Sequence, residues 1–362
     1  MTSKAPASLF RELRKRSLEF WKRNLGGCLA AVALSFWPQA ALAVPRTGCH
    51  AELKLVTLGT GGGPLLDAKR ARASNLVATK SGVLLVDAGE GSAQRLTEAG
   101  YSIADIDAIF LTHLHIDHIA DLATFITGRW AMQVPGILTI YGPVGTDEVV
   151  RGILQASAPT VLASSGLGTD LSLIGQSVHV VEIISTPGSV AVSVADVAGL
   201  SVSVIENTHF DYAFDQSPRP ISFSYRMDGC DSSIAFTGDT GPSQAVVKFV
   251  TGVDILVGEV IEPAVIIEKM KGMSGYSPKA IAALSGRLTQ NHLSSAALGE
   301  LSYQAHAGRL VVSHIVPSDL DDQHLDEMSS EIRSIYFGPV SMANDLDVFP
   351  PSELTRPIPP EQ

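Results

Sequence analysis

Apolar residues recur in short bursts through most of this chain, and their spacing alternates between the period of two expected of strands and the longer period expected of helices. Apolar or alternating runs at 53–58, 75–79, 83–87, 105–112, 138–141, 178–184, 200–206, 221–226, 233–237, 255–259 and 310–314 predict strands. Helical spacing at 92–99, 146–155, 243–251, 278–288 and 294–307 predicts helices, the first ending at Gly100, a residue suited to a helix C-terminus. Strands dominate early and helices interleave later, which predicts an α/β protein with two sheets and helices outside them. No fixed-period repeat is visible. A single domain is expected over residues 51–345, followed by a Pro-rich tail over 346–362.

The first 43 residues break this pattern. Lys4, Arg11, Arg14, Lys15, Arg16, Lys22 and Arg23 precede an apolar run at 25–37, and Ala41-Leu42-Ala43 offers a small-x-small cleavage site. That order predicts a secretory signal peptide over 1–43 and an exported, periplasmic or secreted protein. The apolar run is too short to span a bilayer comfortably, so no stable membrane anchor is expected after cleavage. Cys28 precedes the apolar run instead of following it, which argues against lipidation, and Lys15-Arg16-Ser17-Leu18 is at best a degenerate twin-arginine signal.

Composition alters the picture through charge. The whole chain is 45% hydrophobic and 17% charged, as a globular protein is. Without its first 43 residues it holds 19 Lys and Arg against 35 Asp and Glu, a net of −16. Such a surface repels polyanions, so a large nucleic acid is not an expected partner and a small ester or phosphodiester is. A homodimer fits the sequence equally well as a monomer. Of the three cysteines, Cys49 and Cys230 survive cleavage, and they lack the spacing of a metal knuckle. An oxidising compartment permits a disulfide between them.

The densest chemistry is Thr112-His113-Leu114-His115-Ile116-Asp117-His118. His113 and His115 close a predicted strand, where a period of two sends both imidazoles to one face, and Asp117 and His118 follow as the chain turns. Imidazole and carboxylate together suit zinc first, then manganese or iron. One segment cannot complete a catalytic site, and further ligand-type residues stand at later strand ends: His209, Asp239 in Thr237-Gly238-Asp239-Thr240-Gly241, and His314. The cluster Gly59-Thr60-Gly61-Gly62-Gly63-Pro64 lacks dinucleotide and phosphate-loop spacing, and reads instead as a turn that lets backbone approach a metal pocket, with Arg72 and Asn75 as candidate lining. His50, His179, His306 and His324 have no ligand-spaced neighbours.

From about residue 53 to 317 the chain resembles the metallo-β-lactamase-fold hydrolases. Val86-Asp87-Ala88-Gly89 matches their first motif, the 113–118 segment their second, and His209, Asp239 and His314 fall in order on the remaining three. The resemblance implies a four-layer αββα sandwich with two Zn2+ ions: one held by His113, His115 and His209, the other by Asp117, His118 and His314, with Asp239 bridging. An aspartate at the fourth motif, where a β-lactamase usually has cysteine, is similar to the branch of ribonuclease Z, arylsulfatases and phosphodiesterases. The segment around Glu259 and His292-Leu293-Ser294-Ser295 resembles that branch too, and implies a histidine that protonates the leaving group and a glutamate that orients it. Gly258 stands where ribonuclease Z often has histidine, and 29 residues between His209 and Asp239 are too few for the arm with which that enzyme grips transfer RNA. Asp87 is expected to orient a metal-bound histidine.

The function so implied is a binuclear zinc hydrolase acting on small phosphodiesters through a metal-bridged hydroxide, with Asp117, Glu259 and His292 as catalytic residues. A lactone, carboxylic ester or sulfate ester is the alternative substrate, and a metal-binding protein without chemistry the remote one. Specificity is expected from loops at 135–145, 185–192 and 210–220, the last carrying Phe210, Tyr212 and Phe214.

Overall fold

The computed structural model describes residues 53–63, 66–164, 171–185, 190–213, 217–272, 275 and 277–350. In chain order the strands are β1 (Lys54–Gly59), β2 (Ser74–Thr79), β3 (Gly82–Val86), β4 (Ile106–Phe110), β5 (Leu138–Pro143), β6 (Val178–Ile183), β7 (Val192–Val197), β8 (Leu200–Glu206), β9 (Phe223–Asp228), β10 (Ser233–Phe236), β11 (Ile255–Ile261), β12 (Arg309–Val316), β13 (Val340–Met342) and β14 (Val348–Phe349). They form two sheets of seven, ordered β14-β1-β2-β3-β4-β5-β6 and β13-β12-β11-β10-β9-β8-β7.

Each sheet is antiparallel at one end and parallel at the other. β3, β4, β5 and β6 pair in parallel, as do β10, β11, β12 and β13. Parallel neighbours need crossovers, and helices supply them: Ser92–Glu98, Leu122–Ala131 and Thr146–Ala163 in the first sheet, Gln244–Phe249, Ser295–Gln304 and Asp322–Ile335 among those of the second. The carboxyl ends of β3, β4, β5 and β6 therefore share one edge, the usual place for a site in such sheets.

Period-two burial builds the layers. Leu84, Val86, Ala108 and Phe110 point into the core between the sheets with Ile255, Val257 and Val311. Their neighbours Leu85, Ile109 and Leu111 pack outward under helices, and Leu256, Leu310 and Val312 do the same on the other side. The result is the four-layer αββα sandwich that the resemblance implied.

All eleven strands and all five helices expected from spacing are present, with shifted ends. β7, β13, β14 and the helices Leu122–Ala131, Pro263–Lys271 and Asp322–Ile335 were not expected. β7 is an edge strand with largely exposed side chains, and Asp322–Ile335 is a predominantly polar helix whose narrow apolar stripe buries Met328 and Ile332. The sandwich also runs past residue 345, where the sequence set its edge: Val348 and Phe349 pair with Val56 and Leu55 of β1. Cys230 is disulfide-bonded, while Cys28, Cys49, His50, the 1–43 segment and the tail beyond 350 lie outside the described residues.

Candidate metal centre

β4 ends at Phe110, so His113 and His115 sit on the loop beyond it, ahead of the single-turn helix Ile116–Ile119 that carries Asp117 and His118. Their imidazoles still converge, with His113 Nε2 at 2.9 Å from His115 Nδ1 and His209 Nε2 at 3.2 Å from the same atom. Asp239 Oδ2 lies 3.8 Å from His113 Nε2 and 4.0 Å from His209 Nε2. On its other side, Asp239 Oδ1 faces His118 Nε2 at 3.5 Å and His314 Nε2 at 3.4 Å. Those two nitrogens are 3.1 Å apart, and Asp117 Oδ2 is 3.3 Å from His314 Nε2. The groups His113, His115, His209, Asp239 and Asp117, His118, His314 could each hold a metal ion.

The donor set fits cations. Ligands at the usual zinc distances around a tetrahedral centre stand about 3.3 Å apart, close to the separations found here. Asp239 Oδ1 is buried without a hydrogen-bond partner, a costly arrangement for a carboxylate oxygen unless a cation meets it. Burial, then neighbouring imidazoles, hold His113 well below its ordinary pKa. Burial, with smaller help from His292 and His115, takes His209 down to about 3 against the pull of Asp239, so both are neutral, the form that binds metal. Burial works against ionisation of Asp239, yet the surrounding imidazoles keep it ionised. His118 shows the opposite balance: burial disfavours its charge, but Asp239, Asp87 and Asp117 raise it to about 10, so a positive charge is called for at that point.

Supporting contacts fix the ligands. Asp87 Oδ2 accepts from His118 Nδ1 at 2.9 Å, which leaves Nε2 turned to the site, and Asp87 Oδ1 accepts from the Thr112 backbone N–H at 2.7 Å. Asp87 itself adopts a left-handed backbone, φ 61°. Asp87→Ala is expected to weaken metal binding about 10–100-fold with the fold kept, measured by chelator competition. Gly63 N–H donates to Asp117 Oδ2 at 2.6 Å. A Cβ on Gly62 would stand 2.6 Å from the His314 ring, and one on Gly63 2.5 Å from the Asp117 carboxyl carbon, so the glycine turn is there for close approach, as expected. Arg72 does not line an open pocket; it is buried beneath that turn, donating to the Gly62 carbonyl and the Ser318 hydroxyl. Asn75 borders a cavity of about 30 Å³ beneath the site, shared with Asp87, His118, Asp239, Glu259 and His314.

A β-bulge places the last two groups. Between the pairs Gly258–Val312 and Val260–Ile315, β12 carries Ser313 and His314 against Glu259 alone, and His314 takes φ 47°. Glu259 Oε2 meets His292 Nδ1 at 2.7 Å, and Oε1 accepts the Thr240 N–H at 2.5 Å. His292 is the C-cap of the helix Pro278–Asn291, its side chain 16% exposed. Burial opposes its charge, but the Glu259 carboxylate and then Asp239 raise it to about 9. Gly258 packs where a Cβ would already stand 2.5 Å from Leu298 Cδ1, so the histidine that ribonuclease Z often has there would collide with the helix Ser295–Gln304.

Every residue proposed from sequence as ligand or acid–base group is thus drawn together. Two neighbours carried no sequence signal. Asn291 accepts from His209 Nδ1 through its backbone carbonyl at 3.1 Å, an atom every residue has, and Thr112 Oγ1 lies 3.0 Å from His113 Nδ1. His179, His306 and His324 stand outside all the ligand groups found among the described residues. Phe210 is buried, edge-on to His113 and His115 and tilted against His209, whereas Tyr212 is half exposed; Phe214 lies outside the described residues.

Comparison with known proteins gives the same architecture. The model of the beta-lactamase superfamily domain matches residues 83–315. A ribonuclease Z of Mycobacterium bovis is 28% identical over 303 residues, which covers 81% of this chain and 96% of that protein. Among solved structures, a metallo-beta-lactamase fold protein from Bacillus subtilis aligns with a TM-score of 0.59 at 18% identity, over 83% of this chain and all of the other. The short form of human tRNase Z aligns with a TM-score of 0.57 at 19% identity, over 84% of this chain and all of that one.

Proposed function

The chain belongs to the metallo-β-lactamase-fold hydrolases, in their ribonuclease Z-like branch, and from that premise we propose that it cleaves small phosphodiesters at a pair of divalent ions, zinc by the chemistry of its donors. The observation that carries this is Asp239, whose two oxygens each face a separate group of ligands. Two cations there supply Lewis acidity and lower the pKa of water.

The residues of the chain do the rest. Asp117, tied to the Gly63 N–H, and Asp239 hold negative charge at fixed points and so set where cations and substrate oxygens meet. Phe210, packed on three of the histidines, excludes water from one flank. Glu259 engages His292 Nδ1, which leaves Nε2–H as the proton available to a departing alkoxide.

The ribonuclease Z relatives are named for an RNA substrate; for this chain we favour a smaller one, on two grounds. The segments 113–121, 142–147 and 184–192 hold no Lys or Arg, and Arg219, the one in 209–220, is bonded to Glu206. A phosphate backbone needs such cations. The 29 residues between His209 and Asp239 include β9 and β10, which leaves too little chain for a long protruding arm. Metal-loaded protein is expected to hydrolyse bis(p-nitrophenyl) phosphate and to leave a structured RNA with a 3′ trailer uncut; the reverse outcome rejects the reading. Export through the 1–43 segment belongs to the same proposal, and fractionation of cells making the full chain tests it.

The pH dependence has a definite sign. His292 must be protonated to act as an acid, and Glu259 raises its pKa to about 9 in the metal-free protein. Bound cations act against Glu259, so kcat should fall along an alkaline limb at or below that pH. Glu259→Gln removes the negative charge and should shift the limb lower, seen in a pH–kcat profile for an alkyl leaving group. An unmoved limb assigns the titration to another group.

A further inference from the structure

The ligand loops carry exposed apolar side chains that neither metal binding nor proton transfer uses. Because β4, β5 and β6 are parallel neighbours, the loops after them emerge on one edge of the sheet. Ile116 stands between His115 and Asp117 and is 65% exposed; Val144 follows β5 at 43% and Ile184 follows β6 at 79%. These loops touch. A Cβ on Gly145 would lie 3.1 Å from Leu114 Cδ1 in the ligand segment, and Gly145 N–H donates to Glu182 Oε1 of β6 at 2.7 Å. Across the histidines, exposed Tyr212 flanks Phe210 with ring centroids 6.1 Å apart.

Large apolar side chains held in water gain free energy when something covers them, and their grouping beside a reactive cleft marks a recognition surface. The segments that bear Ile116, Val144 and Ile184 contain no Lys or Arg, while on the Tyr212 side the Arg287 guanidinium stacks over the ring at 4.7 Å; the side of the rim formed by Ile116, Val144 and Ile184 therefore suits a neutral apolar group. We propose that this rim receives the non-reacting alkyl or aryl group of the substrate, which makes the substrate an ester with one apolar arm. The inference rests on the hydrolase reading above. The reacting phosphoryl group sits at the ligand clusters, and the apolar arm lies back over Val144 and Ile184.

The test uses the metal-loaded full chain with p-nitrophenyl methyl phosphate and p-nitrophenyl octyl phosphate. kcat/KM for the octyl ester should exceed that for the methyl ester by roughly tenfold or more, what about two buried methylene groups supply. The double variant Val144→Ser, Ile184→Ser should bring the ratio toward one. A ratio near one in the unsubstituted protein, or one that the double variant leaves unchanged, overturns the proposal. Calorimetric binding of octylphosphonate and methylphosphonate separates the two readings. Tighter octyl binding without turnover of either ester keeps the rim and rejects the hydrolase, whereas equal affinities with turnover reject the rim alone. A dimer that dissociates in the double variant, with the chain-length ratio intact, would make a second copy of the chain the occupant instead.

Discussion

Replacing Asp239 by alanine is expected to leave the protein folded and to leave it able to hold one metal ion at most. The carboxylate is the single group that faces both ligand clusters, one oxygen to each, and it is buried among imidazoles that would otherwise repel a cation and one another once charged. Its removal takes away the negative charge that holds two cations close together. Metal content measured by mass spectrometry should drop from two ions per chain to one at most, and hydrolysis should fall by roughly 10³-fold or more, the scale of losing several kcal/mol of charge stabilisation. Retained metal at two per chain with full activity would show that Asp239 bridges nothing. Circular dichroism separates this outcome from simple unfolding.

His292→Ala should divide substrates by their leaving group. The imidazole is held by Glu259 at 2.7 Å; although Asp239, Glu259 and His292 also stand close enough to hold an ion, His292 is in neither of the two groups that make up the seven ligands, so metal content should stay as it is. Its loss removes a proton that an alkoxide needs and a p-nitrophenolate does not. For a dialkyl phosphodiester kcat should drop by about 10²–10⁴-fold, the usual contribution of a general acid, with a far smaller change for bis(p-nitrophenyl) phosphate. An equal loss on both, or no loss on either, rules out the acid role. The same contrast separates phosphodiesters from lactones and carboxylic esters, which depend less on a separate acid.

Much of this site could be read in the sequence because its ligands are rare residue types at strand ends, where topology collects them. His113, His115, Asp117 and His118 form a dense local motif, His209 and Asp239 each follow a strand, and His314 lies near the end of β12. Glu259 and His292 came only through resemblance, since one glutamate and one histidine have no intrinsic signature. What stayed hidden was geometry: the bulge that sets Ser313 and His314 against Glu259, the left-handed backbone of Asp87, and the carbonyl of Asn291 on His209. None of these depends on an unusual residue type. In the fold, buried strands were legible through their period, while the edge strand β7 is largely exposed and the helix Asp322–Ile335 is polar over most of its length, with few apolar residues to mark it. The Gly258 position, a departure in the sequence, is explained by Leu298, which occupies the space a side chain would need.

The central claim is that two divalent ions at these seven ligands make an ester hydrolase. Titrating metal-free protein with zinc while following hydrolysis of bis(p-nitrophenyl) phosphate tests it most directly. Saturation is expected at two ions per chain, with turnover appearing as the second is bound. Saturation at one ion or none, or two bound ions with no turnover of phosphodiester, lactone or carboxylic ester, would contradict it.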